Sequence, residues 1–280
     1  MGIATRKRRE AFFQKNPHCV FCGGGTPATT VEHCPPRAMF QNRHWPEGFE
    51  FPSCDNCNHG TADHDLLVSM IARMDPFTEA GDRDGKLNGL MHGVHKQFPG
   101  LLQKMLPSAV EARRSNREFG ISPDPGQTHQ EVGVVNVTDE MREAVCVFAR
   151  KLAKGTYYLH TQQSFPNEGC LLLKWFTNSD LLLDGRYTTF DLLQHMAGEV
   201  PPIQRSGRYL GDQFEYKLSL SPDSDILALQ AIFGKAFGLV IFGCTIPGKL
   251  EASIERLREQ NQNDGPFAVL QSRSLRNQIE

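Results

Sequence analysis

What this chain lacks narrows it before anything it contains. No apolar run approaches the ~20 residues of a membrane-spanning helix. The longest stretch, Ala236 to Cys244, is short and broken by Gly238 and Gly243. The basic start, Met1 to Arg9, is followed by no apolar h-region, so a secretory signal is not expected and a cytoplasmic location is. Met1-Gly2 lacks the Ser or Thr that N-myristoylation wants at the sixth position, where Arg6 stands. A large charge of either sign is also missing. Thirty Lys and Arg face 32 Asp and Glu, a net charge of −2, so binding to nucleic acid has to rest on local patches. Internal repeats and low-complexity tracts are absent.

What is present is an ordinary globular composition, 39% hydrophobic and 22% charged over 280 residues, enough for one large domain or two ordinary ones. Eight cysteines in an unsecreted chain argue for reduced thiols. Four fall in two pairs, Cys19-Val20-Phe21-Cys22 and Cys54-Asp55-Asn56-Cys57. That spacing reads as a four-thiolate zinc site. Such a site has no open position, so its zinc is structural. Cys34, Cys146, Cys170 and Cys244 lack metal spacing and read as core or incidental thiols.

The chain divides by composition. Residues 1–16 form a basic arm in which Arg6, Lys7, Arg8 and Arg9 are candidate phosphate contacts, with a solvated helix or frayed tail as the alternative. Residues 17–75 read as knuckle, strand, turn, strand, second knuckle and helix. Gly23 and Gly24 free the backbone of the first knuckle, and Thr29-Thr30-Val31 is β-prone. The helix is capped by Thr61 or Asp63, carries Leu66, Leu67, Met70, Ile71 and Met74 at helical spacing, and ends at Pro76. This unit is small, so zinc would supply much of its stability.

Residues 76–135 form a helical connector and linker. Leu101, Leu102, Met105, Leu106 and Val110 make one apolar face, and its basic residues form a second candidate phosphate patch. Residues 136–250 open with a helix from Asp139 to Gly155. Strand-like runs follow at Leu171 to Phe176, Arg208 to Leu220, Ile226 to Phe233 and Phe237 to Phe242, with a hairpin turn at Gly234-Lys235. The expected class is α+β: a zinc finger, helices, then a helix on an antiparallel sheet. Residues 251–280 read as a short polar helix and a loosely ordered tail.

Between the cysteine pairs stands Glu32-His33-Cys34-Pro35-Pro36, and Asn58 follows Cys57 directly. Over residues 17 to 70, about a quarter of the chain, this resembles the His-Asn-His (HNH) endonucleases. Thr29-Thr30-x-Glu32-His33-x-Pro35-Pro36, Pro52-Ser53-Cys54-x-x-Cys57-Asn58 and Phe214-Glu215-Tyr216 are similar to a bacterial and phage subgroup. The resemblance implies a ββα-metal nuclease cutting DNA, with double-stranded DNA as the expected partner. His33 would be the general base, and Glu32 and Asn58 would hold a catalytic Mg²⁺ or Mn²⁺. An imidazole titrating near neutrality suits the first role, and oxygen ligands suit a hard cation.

Two features differ from the family. Phe49 stands where the middle Asn is usual, and His59-Gly60-Thr61 occupies the place of a basic residue. His59, Asp63 and His64 are all open as a further cation ligand. The alternative reading is a zinc finger that binds nucleic acid or protein without cutting. A third makes the finger a stabilising module for a ligand-binding second half. No membrane partner is expected, and the sequence specifies no oligomeric state.

Overall fold

A computed structural model describes residues 3–74, 82–132, 134–179, 181, 201–250, 255 and 268–271. The expected termination of a helix at Pro76 lies outside these residues, as does most of the expected polar helix and tail. Among the described residues no helix is long and apolar enough to cross a membrane.

The architecture is mixed α+β. Helix α1 (Ile3–Lys15) leads to an antiparallel hairpin of β1 (Thr30–His33) and β2 (Glu50–Ser53), followed by α2 (Asp55–His59) and α3 (Ala62–Arg73). Helices α4 (Leu87–Gln97), α5 (Leu101–Met105) and α6 (Ala109–Glu118) come next, then the long α7 (Asp139–Thr161). The remaining strands are β3 (Cys170–Thr177), β4 (Gln204–Arg205), β5 (Arg208–Tyr209), β6 (Glu215–Leu220), β7 (Ile226–Phe233), β8 (Phe237–Cys244) and β9 (Ala268–Gln271). They form a five-stranded antiparallel sheet in the order β6-β7-β8-β3-β9, beside a separate β4–β5 hairpin.

Helix α7 joins the two halves. Its N-cap Thr138 accepts a hydrogen bond from the Met141 amide, and Asp139 and Glu140 stand in its first turn, where the helix dipole favours acids. Met141, Val145, Phe148 and Leu152 are buried at helical spacing. Phe148 meets Phe233 and Phe237 of the sheet edge-on, with ring centroids 5.3 and 6.4 Å away. Toward the finger, α7 packs on α3. A Cβ at Gly155 would come 3.0 Å from the ring of buried Phe51, so only glycine lets this helix approach the β1–β2 hairpin so closely. The finger and the second half therefore share one hydrophobic core.

Three expectations are corrected. Residues 101–110 are not one helix, because α5 stops before Pro107 and the chain re-enters α6 with Ser108 as cap. Leu106 and Val110 are consequently exposed, at 63% and 77%. The strand expected from Arg208 to Leu220 is broken between β5 and β6, where Phe214 donates its amide to the Leu210 carbonyl and both side chains are buried. The tail expected to be loosely ordered contributes β9, an antiparallel neighbour of β3.

A buried ion pair fixes the segment between β1 and β2. Arg73, at the end of α3, holds Asp84 through both guanidinium nitrogens at 2.5 and 3.3 Å, and donates to the carbonyls of Ala38 and Phe40. Asp84 also accepts from the amide of Asn42 at 2.7 Å. Burial raises the Asp84 carboxyl, but the Arg73 bond and the amides of Asn42 and Lys86 outweigh it and hold it below its ordinary value. A depressed carboxylate stabilises the fold above its unfolded pKa, and the contribution disappears as pH falls through the folded value. Asp84→Asn is thus expected to cost about 1.5–3 kcal/mol near neutrality and to converge with the parent chain in acid. Urea unfolding across a pH series measures this.

Candidate metal centre and adjoining cleft

The sulfur atoms of Cys19, Cys22, Cys54 and Cys57 lie within 4.8 Å of one another. A tetrahedron of ~2.3 Å zinc–sulfur bonds has edges of ~3.8 Å, so these four residues can hold a structural metal ion such as zinc. Among the described residues no other group of three or more Cys, His, Asp or Glu is close enough to share a metal. Local sequence builds both knuckles. In the first, Gly23 and Gly24 adopt φ of 67° and 79°, and the Gly24 amide donates back to the Cys19 carbonyl. In the second, Cys54 caps α2 and Cys57 sits in its first turn, which fixes the next residue, Asn58.

The four thiols act on one another. A hydrogen bond from Cys57 holds the Cys19 thiol down to about 4, while that same bond and burial push Cys57 up. Four thiolates with one Zn²⁺ carry two net negative charges, and Lys154 of α7 stands close by. Its ammonium donates to the Phe21 carbonyl at 2.8 Å and to Asn167 at 3.3 Å, and Asn167 donates to the Cys22 carbonyl at 2.8 Å. Burial lowers Lys154 to about 8, with the thiols of Cys57 and Cys22 opposing. The second half thus braces a knuckle that the spacing alone presents as local.

Beside the knuckles lies a cleft of about 440 Å³ lined by Glu32, His33, Arg37, Arg43, Asn58 and Asp65, among others. His33 ends β1 opposite Glu50 of β2. Its ring meets Trp45 edge-on at 4.9 Å, and its Nε2 is 3.8 Å from Glu50 Oε1. Burial, then the charges of Arg37, Arg205 and Arg43, lower it to about 4, so the imidazole is neutral at pH 7. The Asn58 amide nitrogen faces the Val31 carbonyl at 3.4 Å. Its amide oxygen has no hydrogen-bond donor among the described residues.

Glu32 is buried. Its Oε1 accepts from Lys151 Nζ at 2.9 Å, and the same ammonium reaches Asp65 Oδ2 at 2.6 Å and Thr61 Oγ1 at 2.9 Å. Burial pushes the Glu32 carboxyl up to about 7, with Lys151 opposing and Asp65 adding to the rise. Burial also works against the Lys151 ammonium, but Asp65 and Glu32 outweigh it and hold that group above its ordinary value. Each carboxylate keeps one buried oxygen without a partner, Glu32 Oε2 and Asp65 Oδ1.

The structure therefore brings Glu32, His33 and Asn58 to one cleft, with Asp65 beside them, and the three residues left open by sequence do not line it. His59 is exposed near Asp55, Asp63 accepts from Gln97, and His64 faces Glu143. Arg6, Lys7, Arg8 and Arg9 lie on α1 and do not line the cleft; Arg6 pairs with Glu10, and Arg9 donates to the Thr29 carbonyl. In the connector's basic patch, Arg83 and Lys104 are engaged by Asp212 and Glu140. Phe49 is a core residue, with ring centroids 5.5 Å from both Phe214 and Tyr216. Sequence reasoning missed Asp65, Lys151, Arg37, Arg43 and Arg205. For Lys151 a signal existed, since a lysine there interrupts the apolar face of α7 between Phe148 and Leu152.

Together these features define an α+β protein with a four-cysteine, zinc-finger-like knuckle beside a polar cleft. No protein-family model matches the chain, and no curated protein or solved structure matches it.

Proposed function

We propose that the protein is a metal-dependent endonuclease of the HNH type that hydrolyses phosphodiester bonds of duplex DNA. The observation that carries this reading is the convergence of Glu32, His33 and Asn58 on one cleft with Arg37 and Arg43. A divalent cation fits the donors present: Glu32 Oε2 and Asp65 Oδ1 are buried carboxylate oxygens without partners, and Asn58 offers an amide oxygen. Glu32, Asn58 and Asp65 would hold Mg²⁺ or Mn²⁺, a hard cation that prefers oxygen. When bound, it offsets charge on the scissile phosphate and the leaving oxygen.

The chain's own residues supply the rest. Arg37 and Arg43 orient the phosphate through charge-assisted hydrogen bonds. Neutral His33 accepts a proton from water as the water oxygen bonds to phosphorus and the sugar–oxygen bond to phosphorus breaks. Glu50, held by the Trp45 indole N–H at 3.1 Å, stands where it can stabilise the imidazolium formed.

One observation favours a second reading, a finger that binds nucleic acid without cutting: the Lys151 ammonium already engages both Glu32 and Asp65. Supercoiled plasmid incubated with Mg²⁺ or Mn²⁺ separates the two. The nuclease reading expects nicking that falls about 10²–10⁴-fold in His33→Ala with duplex binding retained. Cleavage unchanged in that variant would remove His33 from the mechanism. Binding without nicking under either cation would establish the second reading.

A further inference from the structure

The β4–β5 hairpin belongs to the second half of the chain, yet it is fastened to the finger's loop. The Glu47 amide donates to the Gln204 carbonyl at 3.0 Å, and the Ser206 amide donates to Glu47 Oε1 at 2.5 Å. Arg205 donates to the Trp45 carbonyl at 3.2 Å, and its guanidinium carbon lies 3.5 Å from the Trp45 ring centroid. Arg37 approaches the same ring at 5.0 Å. A guanidinium stacked on an aromatic ring is oriented in advance, with its N–H edge available for bidentate bonding to phosphate.

The charge pattern leaves room for an external anion, with Glu50 the acid that acts on Arg37. Among the described residues Arg37, Arg43 and Arg205 make no ion pair. Within the hairpin, Arg205 stands directly opposite Arg208, an arrangement of like charges that is unfavourable by itself. The turn is tight, with Ser206 and Gly207 both at positive φ, so the two arginines cannot move apart along the strands. The three guanidiniums lie near enough to His33 to contribute to holding it neutral.

We infer that the β4–β5 hairpin completes a phosphate-binding rim, with Arg205 joining Arg37 and Arg43 at the cleft to grip the backbone of a nucleic acid. The inference rests on reading the cleft as a nucleic-acid site, not on hydrolysis there. It gives the second half of the chain a share in the docking surface. A repeating phosphodiester suits it better than an acidic peptide, because the cleft floor already carries the Glu32 and Asp65 carboxylates, which a cation can screen from a phosphate it also ligates.

The test is fluorescence anisotropy of a short labelled DNA duplex, with a labelled polyglutamate peptide for comparison, on the full, zinc-loaded chain across a salt series run with and without Mg²⁺. Each lost phosphate contact lowers the slope of log affinity against log salt by ~0.9. Arg205→Gln and Arg43→Gln are each expected to show that change and to bind several-fold more weakly at low salt. Arg205→Lys should restore most of the slope. The double variant Lys7→Gln, Arg8→Gln on α1 should leave it unaltered. Arg43 is exposed, so its variant reads the rim even if Arg205→Gln loosens the hairpin. An unchanged slope in Arg43→Gln and Arg205→Gln, a slope carried instead by α1, or binding only to an acidic peptide would overturn the inference. Rim-dependent binding without nicking would sustain it while refuting the nuclease.

Discussion

Cys57→Ser is expected to release the metal and to disorder the finger while leaving the five-stranded sheet folded. Structural zinc contributes about 10–16 kcal/mol in isolated finger peptides, comparable with or above the whole stability of an ordinary domain, about 5–15 kcal/mol. The hairpin β1–β2 has four residues in each strand and cannot offset such a loss from its own burial. Phe49 and Phe51 remain anchored on the sheet and α7, which limits the damage to the knuckles, α2 and the cleft wall. Asn58 is bound to the knuckle by the hydrogen bond its backbone N–H donates to the Cys54 carbonyl, so it loses its position with the metal. Zinc analysis should show loss of the bound ion, and hydrogen exchange should show lost protection in the knuckles and α2 with protection retained in β7 and β8. Full zinc content in the variant would show that Cys57 is not a ligand.

The four-cysteine cluster was legible because both cysteine pairs are local: a two-residue spacing between cysteines is a statement about one turn of backbone. The sheet was legible for a similar reason. Its strands are apolar runs separated by turn residues such as Gly234-Lys235; in the fold, burial alternates along β7 and is nearly continuous along β8, a central strand. In the cleft, Glu32 and His33 were legible as neighbours at a strand end, and Asn58 as the residue after a ligand. Asp65 was not, because seven residues separate it from Asn58 and only the kink between α2 and α3 turns it toward Glu32. Lys151 was not, because its partners stand 119 and 86 residues away in sequence.

Phe49 has a packing role that a local comparison does not reveal. Set beside the family, it marks a missing asparagine. In the fold its ring meets Phe214 and Tyr216, the two aromatic residues of the Phe-Glu-Tyr segment that forms a separate point of similarity. The two observations are one contact, through which the second β-strand of the finger docks on the sheet. Aromatic pairs of this kind contribute about 0.5–1.5 kcal/mol beyond their buried area. Substituting asparagine at this position would put an amide into an apolar cluster without giving the cleft a ligand.

Lys151→Met should be the most damaging single change outside the cysteines. It replaces an ammonium by a side chain of similar length and leaves Glu32 and Asp65 facing each other in a buried site. Removing one partner of a buried ion pair typically costs about 3–5 kcal/mol, and here two carboxylates lose the same partner. The direction of the Glu32 shift sets the pH dependence. A carboxyl raised above its unfolded value stabilises the fold while protonated, and that contribution disappears as pH rises through the folded value, about 7 in the parent and higher once Lys151 no longer opposes the rise. The variant should therefore be least stable above neutrality and recover part of the loss as the solution is made mildly acidic. Glu32→Gln in the same chain should restore much of the stability, because an amide carries no charge to strand. Urea unfolding of the four chains of this double-mutant cycle measures the coupling directly. A Lys151→Met chain as stable as the parent would mean that the ammonium does not hold the two carboxylates together. A large coupling would identify α7 as the element that holds Glu32 at the cleft, so that the second half of the chain fixes the geometry of a site whose remaining cleft residues come from the finger.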